Sequence, residues 1–372
     1  MIVNKKLTRV LAFAIILAIS LTGQTIWSFA EGNVIADTVL THFASLENVS
    51  PYTAVGGFSI GKKGSGSNTR NSMFVLATNS STEASAEFYY YPNITNNLTN
   101  KKKFYINYAG HANAMAIDSN NIYVTGWVYS QDHLQSYNPY NNIILMIRRS
   151  KIALKTNGET LIKDNLQTGV ENDFAVLHPK KINPNAAQQP NKPYVAFDCP
   201  ISAITVHGSN GHFIVLYKDI HNNNHYYFTT AELVQYNCST LFVVSESNKF
   251  KLLNDYTPES DEVIHKQDIY YDSSRGFYQA FYVSNSAGTS KKNYILRANI
   301  DSGSYYTQNG VKIYTPDQIL YNPSSSSYQM IEFESFAFDL NGDMLIACNA
   351  KNANGNPADG VFKLTRSSGG SL

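Results

Sequence analysis

A short alternation of apolar and polar positions, closed by an acidic turn and answered by a second apolar run, recurs along this chain. Its clearest form is GHANAMAIDSNNIYVTGWV, Gly110 to Val128: one strand closes on Asp118, Ser-Asn-Asn reverses the chain, and a second strand runs through Tyr123 and Val124. The pattern returns in ISAITVHGSNGHFIVLY from Ile201, KQDIYYDSSRGFYQAFYV from Lys266 and ESFAFDLNGDMLIACNA from Glu334, and in a worn form in GGFSIGKKGSGSNTRNSMFVLAT from Gly56. Period-two alternation between Gly, Asn and Asp turns predicts β-hairpins. Five copies of one hairpin predict a repeat architecture.

Further strands extend each hairpin. The first unit is expected over Gly56–Ile60, Ser72–Thr78, Ala86–Tyr91 and Lys103–Tyr108, and the second over Asn113–Asp118, Ile122–Trp127, Ile143–Arg149 and Glu159–Asp164. A Pro- and Asn-rich insertion at 169–198 accounts for the longer interval before the third unit.

Residues Asn113 to Val128, followed by NIILMIRRS, resemble the NHL type of β-propeller blade, in which an apolar strand ends in Asp, a Gly/Asn turn follows, and two further strands complete the hairpin run. The resemblance covers most of the chain at the level of pattern; the units here are longer and lack the Pro-x-Gly opening. It implies an all-β fold, a five-bladed β-propeller of four-stranded antiparallel blades, and no particular activity. The expected blades span about 52–109, 110–168, 199–250, 262–322 and 330–366, within a domain of 31–366 and before a tail at 367–372. The last blade lacks a fourth strand, whereas the strand-like segment 33–43 belongs to no blade. One contact resolves both: the N-terminal strand completes the last blade and closes the ring, removing an exposed edge.

Composition narrows the class. The chain has 372 residues, 15% charged and 13% aromatic, with a net charge of +1. That is enough apolar material for a large β core, and nucleic acid has no general electrostatic claim on it. Lys5, Lys6 and Arg9 precede an apolar run from Val10, and Ser28-Phe29-Ala30 supplies small residues. This is the layout of a signal peptide over 1–30 and predicts a secreted, extracellular protein. The run is too short to span a membrane, so no membrane span is expected in the mature form, which is expected to be a monomer. The three cysteines, Cys199, Cys238 and Cys348, are expected to carry free thiols, and no metal-ligand spacing or cofactor motif accompanies them.

Counting back from each turn Asp aligns polar residues at the strand entries: His111 and Asn113, His265 and Gln267, Glu332 and Glu334. Strict alternation places them on the faces that carry Met115, Ile269 and Phe336 further along. A polar rim is then expected at the mouth of the channel, overhung by the loop that carries Trp127 and Tyr129. Aromatic faces beside amide and carboxylate groups suit a glycan or cell-surface ligand. The alternative is a glycosidase or other hydrolase or lyase with its active site at the mouth. No catalytic residue is assigned.

Overall fold

The computed structural model describes residues 33–46, 52–63, 70–79, 85–94, 98–107, 114–127, 142–162, 170–171, 174–222, 225–253, 261–285, 291–322 and 328–366. Five sheets follow one another along the chain. The first is Tyr52–Lys63, Arg70–Asn79, Ser85–Tyr91 and Lys102–Asn107, each strand antiparallel to the next. The second begins with Met115–Ile117, Asn121–Trp127 and Asn142–Arg148. The third is Ile201–Val206, His212–Asp219, His225–Tyr236 and Ser239–Val244. The fourth is Glu262–Asp272, Gly276–Asn285, Lys291–Ala298 and Gln318–Asn322. The fifth is Tyr328–Phe338, Met344–Asn352 and Gly360–Arg366.

The first strands of these sheets form a closed cycle of neighbours. Tyr52–Lys63 meets Met115–Ile117, which meets Ile201–Val206, then Glu262–Asp272, then Tyr328–Phe338, which returns to Tyr52–Lys63. Sheets set around a common axis in this way make an all-β propeller arrangement. The core lies between adjacent sheets. Ile122 and Val124 face the first sheet, while Tyr123 between them faces the third. Phe336 and Phe338 pack toward the fourth sheet, and Ala337 toward the first. Both faces of the second strands are covered over most of their length, which is why these strands read as near-continuous apolar runs.

Three assignments differ from the sequence expectation. The 33–43 segment divides: Asn33–Ile35 runs parallel on the edge of the fourth sheet, and Thr38–Ser45 pairs antiparallel with Gly360–Arg366 in the fifth. The N-terminal segment thus ties two sheets together. The strand expected over Glu159–Asp164 does not complete the second sheet; Thr160–Ile162 runs parallel to Lys102–Asn107 in the first. A four-residue helix, Arg149–Ile152, turns the chain that way, and Lys102 Nζ holds it by donating to the carbonyls of Ala153 at 2.7 Å and Lys155 at 3.0 Å. The insertion supplies what the second sheet then lacks, since Phe174–Leu177 pairs with Asn142–Arg148. Its next strand, Pro179–Ile182, joins the third sheet.

The third difference controls the axis. Four of the five first strands carry a register shift near their entry, between Val55 and Phe58, Ile201 and Ala203, Lys266 and Ile269, and Phe333 and Ser335. An extra residue there flips the facing of everything before it. Glu332 therefore shares a face with Ser335 and Ala337, opposite Phe336, and His265 shares one with Tyr270, opposite Ile269. On these strands the continuous polar-to-apolar face expected from strict alternation does not form.

The signal-peptide segment 1–30 and the tail 367–372 lie outside the described residues. Among those described, no helix is long and apolar enough to cross a membrane.

Candidate functional site

Of the eight rim residues, His111, Asn113 and Tyr129 lie outside the described residues, as does the side chain of Trp127, which ends the strand Asn121–Trp127. The other four are engaged within the protein. His265 stacks on Tyr282, centroids 4.4 Å apart and planes 14° apart, and its Nε2 shares a hydrogen bond with Ser284 Oγ at 3.1 Å. Glu334 Oε1 accepts from Asn349 Nδ2 at 2.6 Å, and Asn349 Oδ1 accepts from the Val55 amide at 2.6 Å across the junction of the fifth and first sheets. Gln267 and Glu332 are buried. Gln267 and Glu334 do share one structural position, the register shift of their strands.

Deeper in, Asp268 joins three first strands. Its carboxyl meets the Ser335 hydroxyl, which is also within 3.0 Å of both the amide and the carbonyl of Phe58. One hydroxyl has one proton. The Ser335 hydroxyl accepts from the Phe58 amide and has its proton to give either to the Asp268 carboxyl or to the Phe58 carbonyl. Burial holds the Asp268 pKa well above the usual carboxylate range, against the opposing hydrogen bonds from Ser335, Ile269 and Phe336.

The cavity on the axis opens at the opposite end, where the first strands reach their turns. It measures about 310 Å³ and receives residues from all five first strands: Lys62, Asp118, Thr205, Tyr271 and Phe338 among them, with Arg149 at its side. Arg149 Nη1 donates to the Asp118 carbonyl at 2.7 Å and Nη2 to the Lys62 carbonyl at 2.9 Å. Burial lowers its pKa, while the Asp118 carboxylate works the other way. Asp118 itself is committed to its turn. Its Oδ1 accepts from the Asn120 and Asn121 amides at 2.8 and 2.7 Å, and its Oδ2 from Tyr123 at 2.8 Å. On the far wall the Tyr271 amide donates to Thr205 Oγ1 at 3.0 Å, and its hydroxyl to Asp301 at 2.8 Å. Burial and that acceptor push the Tyr271 phenol up to about 12. The chemistry is that of a small concave site with basic groups, hydroxyls and aromatic walls, and Asp118, the one carboxylate among its described lining residues, is already occupied.

Sequence reasoning missed this site because it followed the strand entries. The signal was present in NIILMIRRS, where a basic residue ends an apolar strand, and in Gly61 at the end of another.

No protein-family model matches the chain, and no curated protein matches it. Among solved structures it is similar to a subtype N11 neuraminidase-like protein of A/flat-faced bat/Peru/033/2010 (H18N11), at 9% identity and a TM-score of 0.31, over 91% of this chain and 98% of that one. At that score the likeness adds nothing to the arrangement described above, and the similarity to NHL repeats stays one of sequence pattern.

Proposed function

We propose that this is a secreted five-bladed propeller that acts as a binding module for a glycan or cell-surface component, and that it takes one sugar-sized, acidic group into the axial cavity. The observation that carries this reading is the convergence of all five first strands on a cavity of about 310 Å³ with Arg149 on its wall. That volume lies at the small end of ligand pockets, roughly 300–1,000 Å³. Arg149 spends two of its five N–H groups on carbonyls, and a planar guanidinium suits a carboxylate. Tyr270, Tyr271 and Phe338 offer flat apolar walls. The cavity favours binding over the two-carboxyl form of glycoside hydrolysis, since Asp118 is the one carboxylate among its described lining residues.

The test is a glycan array probed with the purified protein, using carboxylated and neutral sugars side by side. Acidic glycans should bind, and Arg149→Ala should weaken them tenfold or more while the variant still melts cooperatively. His111→Ala and Trp127→Ala serve as the comparison. Loss confined to those two would place the ligand at the strand-entry rim and overturn the axial site.

A further inference from the structure

A second constellation lies at the strand-entry end of the third sheet. Asp198 and Cys199 lead into the strand Ile201–Val206, and His221 sits in the loop that follows His212–Asp219. Each offers one donor atom, and the three donors lie within 4.8 Å of one another. Asp198 Oδ2 is 2.9 Å from His221 Nε2. Cys199 is buried, whereas the side chains of Asp198 and His221 are about half exposed, at 48% and 62%.

We propose that Asp198, Cys199 and His221 form a binding site for a divalent transition metal of the zinc class, with a fourth position open to solvent. Thiolate, imidazole and carboxylate are the donors zinc takes, with bonds of about 2.0–2.3 Å. Donors on one tetrahedral ion therefore stand roughly 3–4 Å apart, so no separation need close by more than about an ångström, and the Asp198–His221 pair, at 2.9 Å, opens slightly. Charge also balances, because one carboxylate and one thiolate neutralise a divalent ion and the imidazole binds neutral. On binding, the metal displaces the Cys199 thiol proton to solvent and takes the place of the Asp198–His221 hydrogen bond. No electrons move.

The donors are held in place before any ion arrives. Asn142, from the second sheet, clasps the backbone around the cysteine: its Nδ2 donates to the Cys199 carbonyl at 2.8 Å and its Oδ1 accepts from the Ile201 amide at 3.2 Å. Phe197, one residue before Asp198, is buried edge-on against Tyr217 at 5.2 Å. On the other loop, the His221 amide donates to Asp219 Oδ1 at 3.2 Å, which fixes the turn. Metal sites depend on such outer supports. A nucleophilic Cys–His pair fits less well, because reactive thiols are partly exposed and electropositive in surroundings, while Cys199 is buried and faces Asp198 and Asp219.

The experiment is a titration of the chelator-treated, full mature chain with Co²⁺, followed by displacement with Zn²⁺. One equivalent should bring up the near-ultraviolet thiolate-to-cobalt charge-transfer band, and Zn²⁺ should remove it. Cys199→Ser should abolish the band, His221→Gln and Asp198→Asn should weaken cobalt binding at least tenfold, and Cys238→Ser should leave it intact. Because Cys199 is buried, the exposed His221→Gln variant decides the matter if Cys199→Ser fails to fold. A wild-type protein without the band, a band that survives Cys199→Ser, or an affinity unmoved by His221→Gln overturns the proposal. Glycan binding through the axial cavity is measured separately, so the two readings fail independently.

Discussion

A β-carbon added to Gly61 would stand 2.6 Å from Nη2 of Arg149. The guanidinium occupies the space that a side chain at Gly61 of the strand Tyr52–Lys63 would fill, and there it bridges the Lys62 and Asp118 carbonyls. Gly61→Ala is expected to displace Arg149 and cost about 1–3 kcal/mol by overpacking. In the Arg149→Ala background the same change should cost less, with a coupling above about 0.5 kcal/mol in a urea-unfolding double-mutant cycle. Purely additive losses would mean that the two residues do not touch.

Ring closure has an equally specific handle. A β-carbon on Gly360 would meet the Ala44 carbonyl at 2.6 Å, where the closing strand Thr38–Ser45 carries a register shift against Gly360–Arg366. Gly360→Ala should destabilise the protein by about 1–3 kcal/mol. Removing residues 33–46 should be far worse, exposing the edge of the fifth sheet and causing aggregation. Light scattering and thermal melts of the truncated form check this; a wild-type melting temperature would refute closure by this strand.

Asp268 predicts a pH dependence. Its folded-state pKa is raised by burial, so its contribution to stability is complete below the unfolded-state value of ~3.9 and is lost as pH rises toward the folded value. The folded state holds a proton there that the unfolded chain has released. Asp268→Asn keeps the shape and an acceptor for the Ser335 hydroxyl without that titrating proton. The variant should gain on wild type by up to about 1.4 kcal/mol per pH unit above pH ~4, read by urea unfolding from pH 4 to 8. A constant difference across that range would show that Asp268 is ionised in the fold.

The thiols separate by burial. Cys238 is exposed in the turn between His225–Tyr236 and Ser239–Val244, with φ of +62°, while Cys199 and Cys348 are buried and all three are free. Alkylation of the native protein followed by mass spectrometry should label Cys238 alone, and denaturation should bring the total to three. A pair that stays unlabelled until reductant is added would reveal a disulfide.

The clasp made by Asn142 recurs at Asn293. That residue is fully buried, donates to the Ile331 carbonyl at 3.0 Å and accepts from the Phe333 amide at 3.0 Å, tying the fourth sheet to the fifth. Asn293→Ala leaves two backbone groups unpaired and should cost about 1–3 kcal/mol for each. A loss under 1 kcal/mol by chemical denaturation would mean that water replaces the amide.

The hairpin units were legible in the chain because their turns are local. Asp118 is bonded to the amides of Asn120 and Asn121, Asp272 to that of Ser274, and Asp339 to those of Asn341 and Asp343, each within four residues. Apolar runs such as NIILMIR likewise announced strands covered on both faces. Facing at the rim was not legible. Which residue of Val55–Phe58 or Phe333–Ser335 is the extra one depends on the partner strand, and a shift of one residue reverses every side chain before it. The same limit hid both sites. Arg149 reaches Lys62 across 87 positions, and only closing the sheets around an axis brings those two together. His221 reaches Asp198 across 23 through the pairing of Ile201–Val206 with His212–Asp219, whose register the turn alone does not announce. Local hydrogen bonding and side-chain periodicity are written residue by residue, whereas the cavity and the clasps arise from packing between sheets.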